Sequence, residues 1–224
     1  GHEADRVEVC TFHAFSKNIL IKKYLALGYS KQPELMNIGD INFIIKRNFD
    51  DFGDLNSETF KRDPIIAIQA FKAIFESFRH NLFSDTELHE YKVKELENIK
   101  NNNDPKEIEK SYQLIDSIDA FFKYQIWKKH ENYIDYGDMI INLWKLLIED
   151  KEFASEIQNQ YKHVIVDEFQ DNNYALSQII KKIAEPENSI MVVGDDDQCI
   201  YSFRQANIQN IKEFKKYYDC KDII

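Results

Sequence analysis

Three short runs of apolar, largely β-branched residues predict the strands of a parallel sheet. They cover residues 7–11, 163–167 and 190–194, and each is nearly continuous in apolar character rather than alternating. Continuous runs are typical of strands that helices cover on both faces. The second and third runs end in acidic residues, at the strand ends where open α/β sheets bind ligands. We therefore expect functional residues at these two ends.

Helical patterns fill the roughly 150 residues between the first and second strands. Asp63-Pro64 and Asp104-Pro105 each place a capping aspartate before a proline at the first helical position. They predict helices to about residues 80 and 129, and a third helix covers about 136–149; residues 98–104 are predicted to form a polar loop. The predicted buried stripes are Ile65, Ile68, Phe71, Ile74, Phe75 and Phe78 in the first helix and Ile108, Tyr112, Ile115, Ile118, Phe122 and Ile126 in the second.

Strand, long helical stretch and strand together predict an α/β core interrupted by a helical insertion. The length of 224 residues suits one such domain, and 43% hydrophobic with 30% charged residues is an ordinary globular mixture. No apolar run approaches the roughly 20 residues that span a bilayer, so we expect no membrane association. Three widely spaced cysteines form no metal or disulfide pattern, which favours the cytoplasm.

The net charge of −10 restricts how the chain could bind nucleic acid. A uniformly acidic surface would repel phosphates, so contact must be local, in a groove with its own basic and aromatic lining. Solvated helix faces remain the favoured interpretation of the basic pairs, which are Lys22/Lys23, Lys46/Arg47, Lys61/Arg62 and Lys128/Lys129.

The strongest chemical signal is the segment VIVDEFQD at residues 164–171. An apolar strand that ends in Asp-Glu is the Walker B arrangement of many NTPases. Asp167 would hold Mg²⁺, and Glu168 would orient or deprotonate the attacking water. The alternative is a strand followed by an acidic helix N-terminus, where carboxylates suit the helix dipole.

A second signal follows the third predicted strand, in GDDDQCIYSFRQA at residues 194–206. Gln198 could sense a terminal phosphate by hydrogen bonding. Tyr201 and Phe203, two residues apart, could offer two ring faces to unpaired bases, and Arg204 adds a planar charge. The alternative is an acidic turn followed by an aromatic pair that packs in the core.

Four ordered segments resemble motifs of UvrD/Rep-like superfamily 1 DNA helicases. DEFQD resembles motif II, and VVGDDDQCIYSFRQA resembles motif III. The segment TFHAF at 11–15 resembles the family's TFH segment, and IDYGDMI at 134–140 resembles the segment that leads out of its helical insertion. The resemblance covers nearly the whole chain.

The resemblance implies an ATP site that uses Mg²⁺. Asp167 would bind the metal, Glu168 would be the catalytic carboxylate, and Gln198 would contact the γ-phosphate. Arg204 would link the nucleotide site to the DNA groove. The family often has a small residue at the position of Asp196, and the extra charge there has no explanation in the sequence.

The resemblance also implies a path for single-stranded DNA. Tyr201 and Phe203 would stack on bases, with Arg204 beside them, although the family usually has Trp at position 203. The residues that would lie along the strand near the amino terminus are Thr11, Phe12 and His13.

The implied fold is a partial RecA-like P-loop NTPase lobe, formed by residues 1–17 and 151–224, with an all-helical insertion subdomain at 18–150 near the duplex junction. None of the six glycines begins or ends a G-x-x-x-x-G-K-[ST] loop. We expect the sheet to lack its P-loop strand and to have a gap between the second and third strands. The missing parts, including the second lobe, would come from the remainder of the helicase chain.

Two function classes follow. The first is part of an ATP-dependent motor that moves on single-stranded DNA and unwinds duplex, with this chain inactive by itself. The second is a helicase-like module that binds DNA or protein without ATPase activity. A metal-dependent nuclease built on Asp167, Glu168, Asp171 and residues 195–197 is a weaker third, because it would not need the Gln-x-x-Tyr-x-Phe-Arg segment.

Overall fold

The computed structural model describes residues 7–52, 54–185 and 189–195 together with Phe214 and Tyr218. The chain divides into two compact units, one of residues 1–23 with 139–224 and one of residues 24–138. The fold implied by the family resemblance has its boundaries at 17/18 and 150/151. The assignment of the two units to a RecA-like lobe and a helical insertion stays a prediction.

The described part of the chain is mostly helical, with two small parallel sheets. Two short 3₁₀ turns, at Phe49–Phe52 and Phe169–Asp171, complete the regular structure of these residues. The other elements in chain order are α1 (Phe12–Lys23), β1 (Glu34–Leu35), α2 (Ile38–Arg47), α3 (Glu58–Arg62), α4 (Pro64–His80), α5 (Asp85–Asn101), α6 (Pro105–Glu131), β2 (Tyr133–Ile134), α7 (Tyr136–Glu149), α8 (Lys151–Gln160), β3 (His163–Val166), α9 (Tyr174–Ala184) and β4 (Ser189–Val192).

The three predicted helices are confirmed as α4, α6 and α7. The caps act as expected: the Asp63 carboxylate accepts from the amides of Ile65 and Ile66, and the Asp104 carboxylate accepts from Lys106 N at 2.9 Å. These bonds satisfy amides that have no partner inside the first helical turn.

Two local predictions about the helices are wrong. The polar segment 98–104 is helical as far as Asn101, because α5 continues through it from a capping box at Ser84. Ile65 is 67% exposed and Ile126 is 70% exposed, whereas the helical spacing predicts both of them on buried stripes. Helical spacing identifies an apolar face, but the packing of neighbouring helices decides which residues of that face are buried. Helix α6 buries Phe121 and Tyr124 and leaves Ile126 exposed.

The second and third predicted strands are confirmed as β3 and β4, but the first is wrong. Residues 7–11 form no strand, and Val9 is 90% exposed. A strand needs a hydrogen-bonded neighbour, and in the described residues β3 and β4 pair only with each other. The chain instead enters α1 directly at Phe12.

The predicted gap between the second and third strands is also wrong. Strands β3 and β4 are direct parallel neighbours, with Val164 opposite Ile190 and Val166 opposite Val192. Consecutive parallel strands joined by a helix usually lie side by side, and α9 provides that connection here. Their acidic carboxyl ends therefore lie at the same edge of the sheet.

The unit of residues 24–138 has a core rich in aromatic side chains. The Phe71 and Phe75 rings stack with centroids 6.1 Å apart, and the Phe75 and Tyr124 rings stack at 5.5 Å. Phe60 meets the Phe71 ring edge-on at 5.4 Å. These contacts join α3, α4 and α6. Large rings bury more area than aliphatic side chains, and their stacked and edge-on arrangements add further stabilisation.

A carboxylate of α6 holds the start of α3. Glu109 accepts from the Ser57 hydroxyl at 2.6 Å, from Thr59 N at 2.9 Å and from Glu58 N at 3.2 Å. Burial by itself would raise the pKa of Glu109, but the bonds from Ser57 and the two amides outweigh it and lower the pKa to about 2.

Glu109→Gln is expected to destabilise the protein by roughly 1.5–3 kcal/mol at pH 7, the range for hydrogen bonds to a charged group. The folded pKa lies below the ordinary value of 4.5, so the contribution is present above pH 4.5 and is lost as pH falls from 4.5 towards 2. Urea unfolding of both proteins at pH 7, 4 and 3 should show the difference shrinking. Glu107→Gln, at an exposed pair with Lys110, is the control and should change little.

Among the residues that the structure describes, no helix combines the length and apolar character needed to cross a membrane.

Candidate functional site

The acidic end of β3 has an unusual backbone. Asp167 and Glu168 follow the last strand residue, Val166, and both side chains are exposed. Glu168 has φ 51° and ψ 43°, in the left-handed region that non-glycine residues rarely adopt. Its amide donates to the Asp167 carboxylate at 3.0 Å. Strained residues of this kind persist where surrounding contacts hold them, and they concentrate at functional sites.

Backbone hydrogen bonds connect this turn to the end of β4. Val193 N donates to the Val166 carbonyl at 2.8 Å, and Phe169 N donates to the Val193 carbonyl at 2.9 Å. The pairing of β3 and β4 thus continues beyond the regular strands. It brings Glu168 to the main chain that precedes Asp195.

The Gln170 side chain connects the Glu168 carboxylate to the main chain at Asp195. Although polar, it is 2% exposed. Its Nε2 donates to Glu168 Oε2 at 2.6 Å, and its Oε1 accepts from Asp195 N at 3.0 Å. Gly194 passes so close that a Cβ there would lie 2.6 Å from Gln170 Oε1, which only glycine avoids.

The TFH segment begins α1. The Thr11 hydroxyl accepts from Ala14 N at 3.2 Å and acts as a helix cap. Phe12 is half-buried and packs against the cluster that contains Val166 and Phe169. His13, the next residue, is exposed, and desolvation of its ring by neighbouring groups lowers its pKa. The TFH segment therefore lies beside the hydrophobic cluster that contains Val166 of β3.

Six residues singled out in the sequence after β4 lie outside the described residues. They are Asp196, Asp197, Gln198, Tyr201, Phe203 and Arg204. The structure thus brings together Asp167, Glu168 and the main chain at Asp195. The roles of these residues and of the other positions stay predictions.

The donor set at the β3 end suits Mg²⁺. This ion prefers carboxylate oxygens, and it usually takes one or two from the protein beside water and substrate phosphates. Asp167 offers an exposed carboxylate, and Asp171 has a buried Oδ1 with no hydrogen-bond partner. In residues 7–52, 54–185 and 189–195, no three His, Cys, Asp or Glu side chains form a cluster that could hold a metal ion.

The segment IDYGDMI contains a buried ionic network that the sequence did not reveal. Lys128 Nζ lies 2.9 Å from Asp135 Oδ2 and 2.5 Å from Asp138 Oδ2. Arg79 Nη2 donates to Asp135 Oδ2 at 2.8 Å, and the Tyr124 hydroxyl donates to the same oxygen at 3.1 Å. Burial alone would raise the pKa of Asp135, but Arg79 and Lys128 lower it. Two cations and two carboxylates thus balance inside the unit of residues 24–138.

This network also fixes the turn before α7. Asp135 N donates to Asp138 Oδ2 at 2.9 Å, and Asp138 N returns a bond to Asp135 Oδ1 at 3.0 Å. A Cβ on Gly137 would lie 2.5 Å from Arg79 Cδ, so the glycine provides space for the arginine. Two aspartates three residues apart around a glycine were the available sequence signal; Gln170 gave none beyond its place in DEFQD.

Comparisons with known proteins show the family of the chain. The family model described as UvrD/REP helicase N-terminal domain matches residues 1–219. The chain is 26% identical to DNA helicase II of Haemophilus influenzae over 99% of the chain and 27% of that protein. It is 28% identical to ATP-dependent DNA helicase Rep of Buchnera aphidicola, over 95% of the chain and 28% of that protein.

A third relative is ATP-dependent DNA helicase PcrA of Staphylococcus aureus, which is 25% identical over 97% of the chain and 27% of that protein. The chain thus spans 27–28% of the length of these three relatives. Since the family model covers almost every residue, the chain belongs to the UvrD/REP helicase N-terminal domain family.

Proposed function

We propose that this chain is part of the motor of an ATP-dependent DNA helicase, in which ATP hydrolysis drives movement on single-stranded DNA and duplex unwinding. The observation that carries the proposal is the paired acidic end of β3, where Asp167 and a strained Glu168 are tied to the main chain leaving β4. Residues 1–17 and 151–224 would belong to the RecA-like lobe, and 18–150 to the helical insertion near the duplex junction.

The carboxylates of Asp167 and Glu168 would have different roles at the nucleotide. Asp167 would hold Mg²⁺, which neutralises phosphate charge when it is bound with ATP. Glu168 would accept a hydrogen bond, and then a proton, from the attacking water. Its fixed backbone and its bond from Gln170 hold the carboxylate before substrate arrives, so less reorganisation is needed during reaction. Gln198 would contact the γ-phosphate.

Contact with DNA would be local, as the charge of −10 requires. Tyr201 and Phe203 would stack on bases, with Arg204 linking them to the nucleotide. The residues of the amino-terminal segment that would follow the strand are Thr11, Phe12 and His13. Phe12 packs partly against the core, so Thr11 and His13 are the better placed for contact.

The remainder of a longer helicase chain is the proposed partner of the sheet. Ile165 and Met191 are paired across β3 and β4, and both are exposed, as is Val193. Parallel sheets are normally covered on both faces, so this apolar face suits a covering segment. The P-loop and the second lobe would come from the same remainder. We also propose a cytoplasmic location, from the cysteine pattern.

We expect the chain by itself to hydrolyse ATP negligibly, and the longer protein to show turnover that single-stranded DNA stimulates. The reason is that phosphate-loop and second-lobe groups supply much of the rate, since one arginine finger alone is worth about 10³–10⁵. Steady-state ATP hydrolysis by both proteins, with and without DNA, is the measurement. DNA binding by the longer protein without any turnover would instead support the binding-module alternative.

A further inference from the structure

We propose that Gln170 is a positioning residue that sets the Glu168 carboxylate from the main chain leaving β4. The inference rests on the proposed function, because it concerns the carboxylate assigned there to water activation. Gln170 itself touches neither nucleotide nor metal in this proposal.

The orientation of the Gln170 amide is fixed by its partners. Asp195 N is a donor only, so the oxygen of the amide must face it. The NH₂ group is then left to Glu168 Oε2, at 2.6 Å. With opposite ends of one rigid amide occupied, the side chain cannot rotate without losing both bonds.

Burial makes these bonds costly to break. Gln170 is almost fully enclosed, and a buried amide without partners is rare. Gly194 packs against it, with the site of a Cβ 2.6 Å from Gln170 Oε1 and 3.3 Å from Gln170 N. A side chain at this position would collide with the amide oxygen, so glycine is what allows the main chain to pass beside Gln170.

Glu168 depends on this tie more than an ordinary glutamate would. Its left-handed backbone, at φ 51°, gives the Cα–Cβ bond a direction that is uncommon for a glutamate. The side chain is exposed, so packing does not fix it. The bond from Gln170 therefore sets its orientation, and a shift of the main chain at Asp195 would be transmitted to the carboxylate.

Hydrogen exchange in this chain tests the tie directly. Gln170→Met keeps similar bulk but has neither donor nor acceptor, and should speed exchange of the Asp195 amide about tenfold or more. Gln170→Glu retains an acceptor for that amide and should leave it protected. Gln158→Met is the matched control, because it removes an amide bond to the Lys182 carbonyl at 2.8 Å between α8 and α9. Unchanged Asp195 exchange in Gln170→Met would overturn the tie.

ATP turnover by the longer protein, at saturating single-stranded DNA, tests the consequence. Gln170→Met and Gln170→Glu should both lower kcat about tenfold to a hundredfold, with KM for ATP within about threefold, since misplaced catalytic groups slow chemistry more than binding. Gln158→Met should leave kcat unchanged. Native kcat in either Gln170 variant would overturn the positioning role alone, whereas no DNA-stimulated turnover in the native protein would overturn the proposed function as well.

Discussion

Glu168→Gln in the longer helicase is expected to reduce ATP turnover by about 10²–10⁴-fold, the usual contribution of a general base. The substitution keeps the size of the side chain and an oxygen that accepts from Gln170 Nε2, so the turn after β3 should hold its geometry. It removes the charge and the basicity. Steady-state hydrolysis at saturating single-stranded DNA measures the loss.

Binding of a fluorescent ATP analogue, measured beside turnover, separates chemistry from affinity. Nucleotide affinity should stay within a few-fold of native, because a general base, the role proposed for Glu168, contributes mainly in the transition state. Glu152→Gln, at an exposed position in the first turn of α8, provides the matched control and should be silent in both assays. An active Glu168→Gln protein would remove this residue from the catalytic role.

Asp135→Asn is expected to destabilise the protein by about 3–5 kcal/mol, because it leaves the buried Arg79 and Lys128 with one carboxylate between them. Asparagine preserves shape, so the loss reports charge rather than volume. Urea unfolding followed by circular dichroism gives the free energy of unfolding. Asp119→Asn, at the more exposed pair with Lys92, is the control and should cost less than about 1 kcal/mol.

A second substitution distinguishes charge balance from lost hydrogen bonds. Adding Lys128→Met to Asp135→Asn restores neutrality in the network, and it should recover at least half of the lost stability. Simple additivity of the two losses would contradict the balance of two cations and two carboxylates. It would show that Lys128 and Asp135 act independently.

The helices were predictable where local chemistry decided them. Asp63 and Asp104 cap their own helices, and each bond spans only two or three residues. Exposure of Ile65 and Ile126 was not predictable, because it depends on which neighbour covers each face. The strand expected at residues 7–11 failed for a related reason, since a β-branched run becomes a strand only beside a partner.

The candidate site was predictable as far as the strand ends. Acids directly after two apolar runs indicated Asp167, Glu168 and Asp195 as candidates, and the adjacent parallel strands β3 and β4 bring them to one edge of the sheet. The bridge by Gln170 was not predictable, because it depends on the close approach of Gly194 from another strand end. The expected gap between β3 and β4 is wrong, because apolar runs do not specify which strands are neighbours in the sheet.

The left-handed backbone of Glu168 gives this residue two opposing effects on the stability of the fold. A non-glycine residue there costs on the order of 1–2 kcal/mol that glycine would not. The side chain offsets this cost, because its carboxylate accepts the bond from the buried Gln170 Nε2. Glu168→Gly would therefore remove the strain and the bond together, and its melting temperature would report the difference between the two. Glycine is thus no simple stabilising substitution at this position, although the backbone by itself would favour it.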